Sequence, residues 1–220
     1  MPATLTMLHT APTLAPLFEE LVRQHDPHIA VRHIVDESLL QEARQNGITP
    51  QLRQRIQEQI LQAANDQAGG VLCTCSSIGG PAEEADALTA VPVIRVDRPM
   101  AARAVSLGQR VIIAAALAST IEPTRDLVLD AARQAGKDID IVEVACTQAW
   151  ERFEQGDRPG YWQAIAQDLR QNAHRGDVIV LAQASMAGAA DLCSDISIPV
   201  LSSPALGIEA AVALYRSQAG

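Results

Sequence analysis

The chain contains one pattern twice. VLCTCSSIGGPAE, from Val71, aligns without gaps on IVLAQASMAGAAD, from Ile179, at an offset of 183 − 75 = 108. Thr13-Leu14-Ala15-Pro16 aligns on Thr120-Ile121-Glu122-Pro123 at 120 − 13 = 107, and Val91-Pro92-Val93-Ile94 on Ile198-Pro199-Val200-Leu201 at 199 − 92 = 107. Matches at nearly one offset imply two copies of one unit, so whatever the first half folds into, the second half must fold into as well.

Hydrophobic periodicity supplies the elements. In the first half, strands are expected at Thr4 to His9, Ile29 to Val35, from Val71, and at Val91 to Val96. Between them fall helices at Thr13 to Gln24 (Thr13 as N-cap), Asp36 to Gln45 (stopped at Asn46-Gly47), Thr49 to about Gln67, Pro81 to Leu88 and Asp97 to Leu107. Gly69-Gly70 is expected to break the third of these helices ahead of the Val71 strand. The second half repeats this with strands at 110–116, 139–145, 178–182 and 198–201 and helices at 120–134, 161–173, 186–192 and 204–216. A loop containing Gly156, Pro159 and Gly160 precedes the 161–173 helix.

Alternating strands and helices with near-continuous apolar strand cores signify parallel sheets covered by helices. The expected fold is therefore α/β: two pseudo-symmetric lobes, each a four-stranded parallel sheet flanked by helices. The first lobe spans 1–97 and the second 98–203, with the C-terminal helix 204–220 able to pack on the first. Ligands of parallel sheets bind beyond the carboxyl ends of the strands. Two facing copies would enclose one site between those ends.

The residues leaving the strands are Thr10 and Thr13; Cys75, Ser76 and Ser77; Ser119 and Thr120; and Gln183, Ala184 and Ser185. Most are small and hydroxylated. Cys75 at a strand-to-helix turn could abstract a carbon-bound proton or attack an activated carbon, its thiolate favoured by amides near Gly79 and Gly80 and by a helix starting at Pro81. The hydroxyls could hold a carboxylate or a developing enolate, or could serve as turn and cap groups. Gln183, the repeat counterpart of Cys75, neither accepts nor delivers a proton usefully and can only orient or polarise. His9, His33, Asp36, Arg95 and Asp97 also lie near strand ends, where Arg95 is a candidate carboxylate partner and an ion pair with Asp97 is the plainer alternative.

Charge and composition narrow the partners. A net charge of −9 disfavours nucleic acid and anionic membranes, and 3% aromatic residues leave no stacking platform for bases. Lys137 is the only lysine. The four cysteines show no second C-x-C, no C-x-x-C and no histidine at ligand spacing, so neither a disulfide framework nor a metal site is expected. The N-terminus has no basic segment ahead of an apolar stretch, and the longest apolar run, Val111 to Ala118, is too short to span a membrane. A cytoplasmic protein binding a small carboxylate or amino-acid-like ligand is expected, with homo-oligomerisation open.

At these residues the sequence resembles the aspartate/glutamate/hydantoin racemase superfamily. HIVDESLL, VLCTCSSIGG, VPVIRVDRPMAARAV, ASTIEPT, VIVLAQASMAG and IPVLSSP occur in the family's order along essentially the whole chain. The resemblance implies two pseudo-symmetric α/β lobes, a single site, no cofactor, and one cysteine from each lobe on opposite faces of the α-carbon. Cys75-Ser76-Ser77 stands at a first-lobe motif like C-N-T. Ala182-Gln183-Ala184-Ser185 stands at a second-lobe motif like G-C-T-E, with glutamine in place of the second thiol. The resemblance then implies one-sided chemistry at the α-carbon with Cys75 as the acid/base. Ordinary racemisation, decarboxylation, isomerisation or lyase chemistry, carboxylate binding without catalysis, and covalent hydrolysis with His9 or His33 assisting Cys75 all stay open.

Overall fold

The computed structural model describes residues 3–65 and 67–219. The expected run of the third helix through Asp66 to Gln67 therefore falls in part outside the described residues, as do Met1, Pro2 and Gly220 at the ends of the expected spans 1–97 and 204–220.

The chain divides into two compact units, one formed by residues up to 96 together with those from 204 onward, the other by Asp97–Ser203. In the first, β1 (Thr4–His9), α1 (Ala15–His25), β2 (Ala30–Val35), α2 (Glu37–Asn46), α3 (Pro50–Asn65), β3 (Ala68–Cys73), α4 (Gly79–Glu84) and β4 (Val93–Arg95) follow in order. The four strands form a parallel sheet of order β2-β1-β3-β4. The second unit opens with α5 (Arg98–Leu107), β5 (Arg110–Ala115), α6 (Ile121–Gln134) and β6 (Asp140–Ala145). It continues through α7 (Thr147–Glu154), α8 (Arg158–Asn172), β7 (Val178–Leu181), α9 (Ala187–Ala190) and β8 (Val200–Ser202). Its sheet has the same order and direction, β6-β5-β7-β8. The last helix, α10 (Ser203–Ala219), belongs almost wholly to the first unit.

Local chemistry explains most boundaries. Asp36 caps α2 by accepting from Ser38 N at 3.0 Å, and Gly47 ends that helix at φ +68°, where a side chain would be strained. Thr49 Oγ1 accepts from Leu52 N at 3.1 Å at the start of α3, ahead of Pro50. The stripe Leu52, Ile56, Ile60 is fully buried against the first sheet's core. Each such side chain contributes roughly 1.5–3 kcal/mol by leaving water. The central strands β3 and β7 are buried along most of their length, whereas the edge strands β2 and β6 are partly exposed.

Several boundaries differ from expectation. Gly69 and Gly70 do not break the chain but lie inside β3, because Gly69 runs against the Tyr215 ring of α10, where an added Cβ would stand 2.7 Å from a ring carbon. The segment before Gly156 is not all loop: α7 occupies it, burying Ala149 with Trp150 and Phe153 packed beside it. The helix expected at Pro81 begins earlier, as a 3-10 turn Ser76–Ile78 passing into α4. Thr13 is exposed within a 3-10 turn, Pro12–Leu14, and does not cap α1; Leu14 holds that position, without a side-chain bond. The last expected strand, 198–201, is shifted to Val200–Ser202.

The repeat is visible in these turns. Ser76–Ile78 corresponds to the 3-10 turn Ala184–Met186 at 184 − 76 = 108, which keeps Cys75 opposite Gln183 in the alignment of the two units. Pro12–Leu14 corresponds to Ala118–Thr120 at 118 − 12 = 106, so the counterpart of Thr13 is Ser119, not Thr120.

Candidate active site

In the first unit the carboxyl ends of β1 and β3 lie side by side, with Leu8 in register with Cys73. Thr10 therefore follows β1 at the level where Cys75 follows β3, and both are buried. The backbone stays extended at Cys75, φ −116° and ψ 117°, before the chain turns at Ser76. A 3-10 turn, Ser76–Ile78, therefore stands between Cys75 and the start of α4 at Gly79. Cys75 is 9% exposed, and the Cys73 thiol approaches its carbonyl at 3.7 Å. No disulfide joins any of the four cysteines. Ser76 and Ser77 are buried, and Ser77 Oγ has no hydrogen-bond partner among the described residues. Arg95, also buried, lays its guanidinium over Gly79, with Cζ and Nε 2.9 Å from where a Cβ would be.

A chain of polar side chains, Thr74, His9 and His33, adjoins this turn, and of the three only Thr74 was not already a candidate from the sequence. Thr74 binds Leu8 O twice, through its amide at 3.0 Å and its hydroxyl at 3.1 Å, and its Oγ1 lies 2.8 Å from His9 Nδ1. Because the threonine proton goes to Leu8 O, His9 Nδ1–H is the donor to Thr74. His9 Nε2 then accepts from His33 Nδ1–H at 2.8 Å. Burial first, and the neighbouring His33 second, lower the pKa of His9 to about 4. Burial also lowers His33, against the opposing charge of Glu19, 4.0 Å from its Nε2. Both ring nitrogens of His9 are thus committed, and it has none left to activate Cys75 as a hydrolase base. The hint available in the sequence was placement alone: His9 ends β1, and Thr74 adjoins Cys75.

The second unit uses the corresponding turn differently. Gln183, 8% exposed, follows β7, and its Oε1 accepts from the amides of Ala116 at 2.8 Å and Leu117 at 2.9 Å just beyond β5. Both partners are donors, which fixes the oxygen and nitrogen of the carboxamide. Ala184 is buried and offers only backbone, while Ser185 Oγ meets the Tyr161 hydroxyl at 3.0 Å and Ser185 O accepts from Trp162 Nε1 at 2.9 Å. Burial raises the Tyr161 phenol well above its ordinary value, keeping it un-ionised. Thr120 is buried and donates to Leu117 O at 2.7 Å, whereas Ser119 Oγ is buried with no partner among the described residues. Among the sequence-derived candidates, then, Ser77 and Ser119 keep unused hydroxyls, Thr120 and Ser185 are engaged, and Thr13 is exposed. Cys146, unused here, is pushed up to about 12 by burial and the nearby Asp168.

A family model described as Asp/Glu/Hydantoin racemase matches residues 4–211. The chain belongs to the Asp/Glu/hydantoin racemase family. Solved structures share the fold of this family member at low identity. A Yersinia pestis protein assigned as an Asp/Glu racemase matches with a TM-score of 0.73 at 12% identity, over 97% of this chain and 99% of that one. The aspartate racemase of Picrophilus torridus matches at 0.68 and 15% identity, over 98% and 94%. An arylmalonate decarboxylase matches at 0.59 and 13% identity, over 96% and 92%. No curated protein matches this racemase-family chain. Among its described residues no three His, Cys, Asp or Glu are placed to hold a metal ion, and no helix is long and apolar enough to cross a membrane.

Proposed function

We propose that this family member is a cofactor-independent enzyme acting at the α-carbon of a small carboxylate or amino-acid-like substrate, with Cys75 as its single acid/base. The observation that carries the reading is Gln183: at the counterpart of Cys75 it brings no titratable group, and its oxygen is held by two backbone amides. A two-base racemase must take a proton from one face and deliver one to the other. A single thiol works from one face.

Two reactions fit. In exchange, the Cys75 thiolate removes the α-proton, the electron pair passes into the carboxylate as an enolate, and the thiol returns a proton to the same face. In decarboxylation, the C–C bond breaks, carbon dioxide leaves, the electron pair enters the remaining carboxylate as an enolate, and Cys75 supplies the proton that forms the new C–H bond; solvent then reprotonates the thiolate. Ser77 and Ser119, whose hydroxyls have no protein partner among the described residues, are assigned to substrate oxygens.

The test is NMR of aspartate, glutamate, hydantoins and substituted malonates incubated with the protein in D2O. The expected result is deuterium at the α-position of at least one of them with configuration retained, or a malonate decarboxylated to one enantiomer, and loss of either reaction in Cys75→Ser. Inversion keeping pace with deuterium uptake, or an unaffected Cys75→Ser variant, would refute it.

A further inference from the structure

We infer that Gln183 is a specificity-determining residue: a neutral, pre-oriented hydrogen-bond donor that takes an oxygen of a carboxylate ligand on its Nε2. The inference rests on the carboxylate chemistry proposed above and adds a role for the residue that replaced the second thiol.

A glutamine side chain ordinarily has three free torsions and either end of its amide to present. Here the choice is removed. Ala116 N–H and Leu117 N–H, successive amides beyond the end of β5, both close on Oε1, at 2.8 and 2.9 Å. Two main-chain donors cannot face an NH2 group, so the nitrogen is turned away from them. Gln183 is 8% exposed, and Nε2 has no protein partner among the described residues. The N–H bonds at Nε2 are therefore the donors this position offers, in a direction set by the backbone. Ordering the side chain in advance removes an entropic cost from binding. A donor without charge or titration suits an oxygen acceptor over a wide pH range. It is a poor partner for an ammonium group, which has no lone pair to accept its N–H bonds.

The design separates structural from recognition roles, because glutamate can replace one and not the other. In Gln183→Glu a carboxylate oxygen still accepts from both amides, so folding is expected to be as stable as wild type or more so, but the N–H donors are replaced by a negatively charged oxygen. In Gln183→Met the amides lose their acceptor, and a lower unfolding midpoint is expected. The measurement is titration of malonate, D-aspartate, L-aspartate and hydantoin into the full chain. It is read by the side-chain NH2 signals of Gln183 in protein labelled with nitrogen-15 glutamine and by calorimetry, on wild type and Gln183→Glu.

A saturable shift of the Gln183 signals with at least one carboxylate, and a loss of about tenfold or more in its affinity in Gln183→Glu, is expected. Gln183 signals unmoved by all four probes, or a Gln183→Glu variant that binds the carboxylate as tightly as wild type, would overturn the inference. Binding is read without turnover, so a protein that moves the Gln183 signals but exchanges no α-proton sustains this inference while overturning the carbon-acid reading. An active protein whose Gln183→Glu variant keeps full carboxylate affinity does the reverse.

Discussion

Acidification from about pH 7 to about pH 4.5 should destabilise the first unit through His9. The imidazole is fully buried, with Nδ1 donating to Thr74 and Nε2 accepting from His33. A second proton would have to sit on Nε2, where the His33 N–H already points. Burial and His33 accordingly lower the pKa from 6.5 to about 4. The sign follows from proton counting. Between those values the unfolded chain carries the proton and the folded chain does not, so the contribution is complete above pH 6.5 and is lost progressively as pH falls towards 4. At 1.36 kcal/mol per pH unit the full loss is about 3 kcal/mol, a large share of the roughly 5–15 kcal/mol that a domain has. Burial moves His33 in the same direction, so it adds to the slope. The Asp26 carboxylate is held below its ordinary value by its hydrogen bonds from Arg216 and the His28 amide. Urea unfolding at several pH values, on wild type and on His9→Asn, isolates the effect: asparagine can keep a donor towards Thr74 but does not titrate. The variant is expected to be weaker at neutral pH and to lose most of the pH slope. A His9→Asn protein with the wild-type slope would refute the account.

Three further outcomes follow from close contacts and one cap. Gly188→Ala would place a Cβ 2.5 Å from Trp162 Cε2 and 2.6 Å from Cδ2; a loss of about 1–3 kcal/mol is expected, with a shift in Trp162 fluorescence. Gly69→Ala, against the Tyr215 ring, should cost a similar ~1–3 kcal/mol and loosen α10, read by hydrogen exchange of its amides. Asp36→Ala removes the acceptor for Ser38 N and the partner of Gln59 Nε2, and should lower the urea midpoint by the equivalent of about 1–2 kcal/mol, while Asp36→Asn loses less.

The strand and helix alternation and the doubled unit were legible because both rest on periodic burial, which side-chain type reports directly. Short apolar stretches were read less well. Gly69-Gly70 looks like punctuation from its composition, and only the Tyr215 ring, at a sequence distance of more than a hundred residues, shows that the glycines make room inside a strand. The α7 segment is short and rich in Gln and Glu, and its apolar members, Ala149, Trp150 and Phe153, are too few to stand out from the glycine and proline that follow. At the candidate site, Cys75 and Gln183 could be picked by repeat position. What holds Gln183 could not, because its partners are backbone amides, which carry no residue signature. The Thr74, His9 and His33 chain depends on the register of three neighbouring strands, which pattern alone does not supply.

Returning to α10, its sequence position matters for how the protein is made. Tyr215 donates to Ala3 O at 2.7 Å, Arg216 pairs with Asp26 at 2.8 Å, and Ile208, Ala211 and Val212 are buried. The first unit is thus completed by a helix that follows the whole of Asp97–Ser203 in sequence, whereas Asp97–Ser203 is contiguous and can close as soon as it has emerged from the ribosome. During synthesis the seat of α10 on the first unit stays uncovered through the translation of the entire second unit.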